Sequence, residues 1–364
     1  MHSFALIHAY LLIAARHVKF SDNSRNSLLL KKIDFCSSNV FDLLDRPTVG
    51  TSLAPISAVF DALVDAHFFG KNRSVGRLEI WRALKGEGPE LIDRFEDGFY
   101  KKLAFPQTAP PDAFITFKSI CIRYIDHSVV AFLHRIRRLF RHSAIALKMV
   151  IWPQSVRAWH VMAQQIWPLA APNVCQLSVD SYVFSRLREF VSPSVLRDCA
   201  NLRQIESDGL FPEGPPDDHL NASDGQALAK WLHTPRADGR PKLLNVEAMT
   251  GQFHEQIERL KEAFLCASSP VSFAIRLSVH LRGVYAPFAV DNGQTRERLT
   301  FCAIDKSDSL WLLKRAPLGV VVGQQTDDEA GQATNTAHCW QWTAGHSVLR
   351  VQFEDRDIGP LSVQ

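Results

Sequence analysis

The feature that most constrains this chain is an alternation of two hydrophobic periods, recurring between residues 115 and 282. Short runs place apolar residues at every second position, as a half-buried strand requires. The runs between them repeat at three and four, the stripe of an amphipathic helix. Ile120, Ile122 and Tyr124 predict a strand, and Val129, Leu133, Ile136 and Phe140 a helix. Ile145, Leu147, Met149 and Ile151 precede Val156, Trp159, Ala163, Ile166 and Trp167, and Cys175, Leu177 and Val179 precede Phe184, Leu187 and Val191. Leu202 and Ile205 form a weaker strand, its helix delayed by a Pro-, Gly- and Asp-rich loop from Asp208 to Ala222. That helix opens at Ser223 with Gln226 at capping-box spacing and continues through Leu228, Trp231 and Leu232. Leu244, Val246 and Ala248 lead into Phe253, Ile257, Leu260 and Phe264, and Val271 to Val279 alternates most clearly of all.

An apolar residue also recurs at n, n+3 and n+5: Phe117, Ile120, Ile122; Ala144, Leu147, Met149; Val174, Leu177, Val179; Leu243, Val246, Ala248. Apart from the long loop, units lie about 28 residues apart, and one strand plus one helix at such a period is the signature of leucine-rich repeats. One unit cannot bury its own apolar faces, so units must stack. Cys199-Ala-Asn201-Leu202-Arg-Gln-Ile205 resembles the Cys-x-Asn-Leu-x-x-Leu stretch of cysteine-containing leucine-rich repeats, although the asparagine usual after the strand is absent. The expected fold class is α/β: a short helical head, a leucine-rich-repeat-like β–α solenoid over 115–282, and a small β-rich C-terminal cap. The strands near 120, 147, 177, 205 and 246 should be consecutive neighbours in a parallel sheet. An ordinary α/β domain with coincidental spacing is the alternative.

After residue 283 the helical period vanishes. Asp291-Asn292-Gly293 is a turn signal between Tyr285–Val290 and Leu299–Ile304, and Trp311–Leu313 and Val348–Phe353 are further strand candidates. The expected organisation is an N-terminal extension over 1–35, helices over 36–72, a linker or first cap over 73–114, the array over 115–282, and a β-rich region over 283–364 with a flexible loop at 319–346.

Composition narrows the function classes. Of 364 residues, 46% are apolar and 22% charged, so the chain can bury a sizeable core without disulfides or metals. A net charge of +3 is too mild to imply a nucleic-acid partner. The basic run His134–His142 places Ile136, Leu139 and Phe140 inward, so its arginines read as a solvated helix face. The seven cysteines are odd in number, lack CxxC spacing and lie partly within apolar runs, which fits a reducing compartment, cytoplasmic or nuclear. The apolar run Phe4–Ala15 is too short to span a bilayer as a helix. It has the length of a signal-peptide core but lacks a strongly positive start and an obvious cleavage site. A buried helix is the expectation, and secretion through residues 1–20 the alternative.

The chemistry-bearing motifs are missing. No phosphate-binding loop follows a strand, and no GxSxG elbow occurs. His254-Glu255 starts like HExxH, but no second histidine follows. His338, Cys339 and His346 form only a loose group, short of a metal site. Trp152, Trp159, Trp167, Trp231, Trp340 and Trp342 read as core or interface rather than a cofactor box. No catalytic residue, metal ligand or cofactor is therefore expected.

Residues 36–72 supply the one family resemblance. Leu43-Leu44-Asp-Arg46, then Leu53-Ala-Pro-Ile56-Ser57-Ala-Val-Phe60-Asp-Ala-Leu63, resembles the second half of an F-box. Phe60–Phe68, Leu228-Ala-Lys-Trp-Leu-His-Thr-Pro235 and Asp355-Arg-Asp-Ile-Gly359 are similar to a large family of nematode F-box-type proteins. The resemblance runs from about residue 39 onward. The opening Leu-Pro of an F-box is replaced by Asp34–Asn39, Pro47 and Pro55 interrupt its helices, and Gly319–Gly345 departs from the family pattern. The resemblance implies a non-enzymatic substrate receptor of a cullin–RING (SCF-type) ubiquitin ligase. Leu43, Leu44, Leu53, Ile56, Phe60 and Leu63 would contact the adaptor subunit by helix-in-groove packing, and the array would hold an unidentified target protein. A binding scaffold with a decayed F-box is the first alternative, and an uncharacterised α/β enzyme the second.

Overall fold

The computed structural model describes residues 74–84, 88–94, 99–103, 105–106, 108, 110, 114–248, 253–279, 285–305, 309–318 and 346–361. Leu43, Leu44, Leu53, Ile56, Phe60 and Leu63 all lie outside these residues, as does the whole F-box-like stretch. Within them the chain is a mixed α/β structure built on one open sheet of 13 strands.

In chain order these are β1 (Ser74–Arg82), β2 (Pro89–Arg94), β3 (Tyr100–Leu103), β4 (Thr116–Ile122), β5 (Ile145–Met149), β6 (Val174–Asp180), β7 (Gln204–Asp208), β8 (Lys242–Ala248), β9 (Phe273–Val279), β10 (Phe288–Asn292), β11 (Glu297–Ala303), β12 (Leu310–Pro317) and β13 (Ser347–Val351). Their spatial order is β10-β11-β12-β9-β8-β7-β6-β5-β13-β4-β1-β2-β3. The central block from β9 to β1 is parallel. Both ends are antiparallel.

One expectation needs correction. β5, β6, β7 and β8 are consecutive parallel neighbours, but β4 is not beside β5: β13 lies between them and pairs in parallel with both. Leu349 and Val351, fully buried, alternate inward as Ile120 and Ile122 do. Local period shows which residues face inward, but not which strand lies alongside. The C-terminal residues accordingly divide, with β10–β12 extending the sheet past β9 and β13 entering its interior. The stretch 73–114 contributes β1–β3 to the same sheet.

The inward row crosses ten strands: Leu78, Ile120, Leu349, Leu147, Leu177, Ile205, Leu244, Ile275, Leu313 and Phe301 stand side by side, all buried. Each such side chain contributes about 1.5–3 kcal/mol on leaving water. The helices α1 (His127–Arg135), α2 (Arg137–Arg141), α3 (Val156–Val161), α4 (Trp167–Ala170), α5 (Ser181–Phe190), α6 (Val195–Asp198), α7 (Asp224–His233) and α8 (His254–Leu265) send their buried apolar side chains into this same cluster. A far smaller apolar group, Leu243, Ala274 and Leu312, lies on the opposite face.

The n, n+3, n+5 pattern has two physical origins. In β6 a register slip leaves Cys175 as an extra residue, so Val174 and Leu177 both turn inward despite their odd separation. In the fifth unit the match is coincidental. Leu244, not Val246, pairs with Ile205, and Leu243 faces the other side. A period of two cannot separate registers that differ by two residues.

Local chemistry fixes the helix starts. Asp126 caps α1, accepting from Ser128 N and Val129 N at 2.9 Å each, and Asp180 caps α5, accepting from Val183 N at 2.7 Å. The Ser223–Gln226 capping box forms in both directions at the start of α7. Arg188, only 8% exposed, ties the long loop down by donating to His219 O, Ala222 O and the Asp224 carboxylate. In the basic run, Ile136, Leu139 and Phe140 are buried as expected, and Arg135 and Arg138 donate to the carbonyls of Pro106 and Pro110.

Candidate functional site: a groove at the carboxyl ends of the parallel strands

With the helices gathered on one face, the outward positions of β5–β9 remain for recognition. The row Lys148, Ser178, Glu206, Asn245 and Arg276 crosses these strands in register. One step toward the carboxyl ends, Asp180, Asp208, Glu247 and Ser278 form the next row. Both rows line a groove of about 850 Å³, which also takes in the turn from Val150 to Gln154 and Tyr182. Carboxyl ends of parallel strands are where α/β sheets place ligands.

The groove is acidic at its centre. Asp180, Asp208 and Glu247 are exposed, while Glu206 is half-buried and accepts from Gln176 Nε2 at 2.8 Å. Lys148 and Arg276 stand at opposite ends of the first of these rows. The Ser207 side chain, 5% exposed, faces the helix side beside Val179 and Val246, its hydroxyl without a hydrogen-bond partner among the described residues, whereas Asn245 Oδ1, also unpartnered, belongs to the outward row. Trp152 and Tyr182 stand on the rim, 56% and 69% exposed. The turn carrying Trp152 is fixed by the fully buried Trp159, whose indole Nε1 donates to Trp152 O at 3.2 Å.

Among the described residues no three His, Cys, Asp or Glu side chains converge as metal ligands. His254 instead lies against the Tyr285 ring, and Glu255 pairs with Arg259 on the helix surface. Burial pushes the His346 imidazole pKa down; His338 and Cys339 lie outside the described residues. Trp159, Trp167 and Trp231 are core residues, whereas Trp152 is not. Cys121, Cys175, Cys199, Cys266 and Cys302 form no disulfide, and the first three are buried. Burial raises the thiol pKa of Cys175 to about 11 and of Cys199 to about 12, far from nucleophilic range. No described helix is long and apolar enough to cross a membrane.

The groove was not singled out by sequence reasoning, because outward charges on a strand read as ordinary solvated positions. A signal was nevertheless present: in three successive units a carboxylate follows the second inward position, as Val179-Asp180, Ser207-Asp208 and Val246-Glu247. No protein-family model, no curated protein and no solved structure matches the chain.

Proposed function

We propose that the chain is a protein-interaction subunit of the substrate-receptor type in a cullin–RING ubiquitin ligase. Its β–α units form a leucine-rich-repeat-like array that holds a target protein, and the F-box-like residues 36–72 engage the adaptor. The observation that carries this reading is the one-sided sheet: helices fill one face, while the outward rows of β5–β9 and their carboxyl-end groove are left for a partner.

The repeat reading is supported by hydrogen bonds between units one repeat apart. Asn201 Nδ2 donates to Pro172 O at 2.7 Å across 29 residues, and Gln176 Nε2 to Glu206 Oε1 at 2.8 Å across 30. Asn201 is the asparagine of the cysteine-containing repeat stretch, so the residue carrying that resemblance bonds the preceding unit. The chain performs no chemistry in this reading; ubiquitin transfer belongs to its partners.

Affinity purification of the full chain from cell extract tests the proposal. The adaptor subunit should co-purify, and Leu53→Ala with Ile56→Ala should reduce its recovery by at least about tenfold without shifting the melting temperature. Failure of the unaltered chain to enrich the adaptor would leave a binding scaffold with a decayed F-box. Collapse of the double variant would make Leu53 and Ile56 core residues.

A further inference from the structure

The hairpin of β10 and β11 carries a chemically labile dipeptide where the fold protects it. We propose that Asn292–Gly293 is a deamidation site that opens only when this hairpin lifts from α8, and that its conversion to aspartate or isoaspartate keeps the hairpin from seating again.

Asparagine is among the thermolabile residues, and most so before glycine, which leaves the following main-chain nitrogen unshielded. Asn292 is the only asparagine in the chain that glycine follows. Neither backbone nor packing asks for that glycine. Gly293 is exposed, its φ lies outside the positive region, and a Cβ there would meet nothing within 4 Å.

The reaction balances within the dipeptide and water. Hydroxide takes the proton from Gly293 N, which attacks Asn292 Cγ. A C–N bond forms and the Cγ–Nδ2 bond breaks. Nδ2 takes a proton from water and leaves as ammonia, which restores the hydroxide. Water then opens the cyclic succinimide at either carbonyl, giving aspartate or isoaspartate.

The seated hairpin opposes each step. Asn292 is 4% exposed. Its Nδ2 donates to Phe264 O at 2.7 Å and Ala267 O at 2.9 Å, with a longer bond to Leu265 O at 3.4 Å. Its Oδ1 accepts from Gln294 N at 2.8 Å and Thr295 N at 3.1 Å. Held at both atoms, the side chain is not free to turn Cγ toward Gly293 N. The leaving nitrogen also faces acceptors instead of water that could protonate it. Reaction therefore waits on a local opening of the hairpin, short of global unfolding.

The same surroundings accept an amide and reject an acid. The three Nδ2 partners are carbonyls at the carboxyl end of α8, the negative pole of the helix. A carboxylate oxygen there would find no donor among them. Asn292 also stands opposite Glu297, which is 1% exposed and committed to Arg315. Aspartate would place a second negative charge beside that buried one. Isoaspartate lengthens the main chain by a methylene and disturbs the pairing of residues 292 and 297. Because ammonia is lost to solvent, refolding does not reverse the change.

The test follows the full chain through prolonged incubation at mildly alkaline pH, in buffer and in concentrated urea. Mass spectrometry of the peptide holding Asn292 reads the conversion of amide to acid. In urea it should proceed as fast as in a short synthetic Asn-Gly peptide, and in buffer at least about a hundredfold more slowly. Gly293→Ala should suppress conversion in urea and leave the melting temperature unchanged. Chain converted in urea, separated by charge and returned to buffer, should melt below unconverted chain treated alike. It should also exchange the Gln294 and Thr295 amide protons at least about tenfold faster. Failure of the converted chain to refold, where the control refolds, supports the same conclusion. Asn292→Asp, expressed directly, repeats the comparison without urea. Equal conversion rates in buffer and urea would overturn the protection by the hairpin. An unchanged melting temperature and unchanged exchange in the converted chain or in Asn292→Asp would overturn the release.

Discussion

The guanidinium of Arg315 meets the carboxylate of Glu297 at 2.6 Å with both side chains sealed from water, at 3% and 1% exposure. Arg315 Nε makes a second bond to the same oxygen at 2.9 Å, and Nη2 also donates to Ser269 O at 2.8 Å. Glu297 Oε1 accepts from Val271 N at 2.7 Å, and the guanidinium lies 5.1 Å from the centre of the Phe264 ring. The pair therefore clasps the connection between α8 and β9 to the antiparallel strands at that end of the sheet.

Removing one partner strands a buried charge. Arg315→Met or Glu297→Leu alone should cost about 3–5 kcal/mol, and the double replacement clearly less than their sum. Urea unfolding of the two single variants and the double variant checks this. Strict additivity would show that the two groups act independently.

Stability should fall on mild acidification. Burial, with help from the nearby positive charge of Arg315, holds the His233 pKa at about 4, below its ordinary 6.5. The unfolded chain therefore takes up the proton first, and stability drops as pH falls from 6.5 toward 4. At about 1.4 kcal/mol per unit the loss is at most about 3 kcal/mol. His233→Gln should flatten this part of a pH series of denaturation midpoints. Lys242 acts at the other end: burial lowers its pKa to about 8 from 10.5, so its contribution to stability rises as pH climbs through that window.

The inward row has no room for charge. Leu244 and Ile275 are fully buried and paired across β8 and β9. Aspartate at either position should cost several kcal/mol and abolish the cooperative thermal transition. A folded Leu244→Asp variant with an unchanged melting temperature would refute the register.

Gly359 is fixed by a close approach. A Cβ there would stand 2.2 Å from Tyr124 Oη and 3.0 Å from Asp126 Cβ. The main chain is held in place by Gly359 N donating to Ile125 O at 2.8 Å. Gly359→Ala should destabilise by about 1–3 kcal/mol, through overpacking. Tyr124→Phe should recover part of that loss in the same background, measured by melting temperature, because it removes the atom in the way.

The parts of the fold legible in sequence were those decided by neighbours along the chain. The Ser223–Gln226 box and the inward stripe of α8 depend only on local spacing, and both stand as read. Asn292 marks a turn, but the residue itself ends β10: its side chain bonds Phe264 O and Ala267 O while accepting from Gln294 N and Thr295 N. β1–β3 escaped notice because Ser74–Arg82 and Tyr100–Leu103 carry charged residues among their apolar ones, as edge-proximal strands do. The place of β13 was beyond local reasoning, because two equally apolar strands compete for one edge. The groove was missed for a related reason: Asp180, Asp208 and Glu247 lie 28 and 39 residues apart and become a single feature only once β6, β7 and β8 are in register.

The position of β13 also governs the order in which this molecule is completed during synthesis. Its neighbours β4 and β5 do not pair with each other, so the strands made earlier form two sheets with facing unpaired edges. Closing them requires contacts of very long loop, such as the one from His127 N to Pro360 O, residues that lie 233 apart. Nascent chains up to that point expose two parallel edges of the kind that recruit chaperones or aggregate. The arrival of five residues, Ser347–Val351, seals both together. A message cut short before this strand would yield a product with two open edges, marked for disposal by its own geometry.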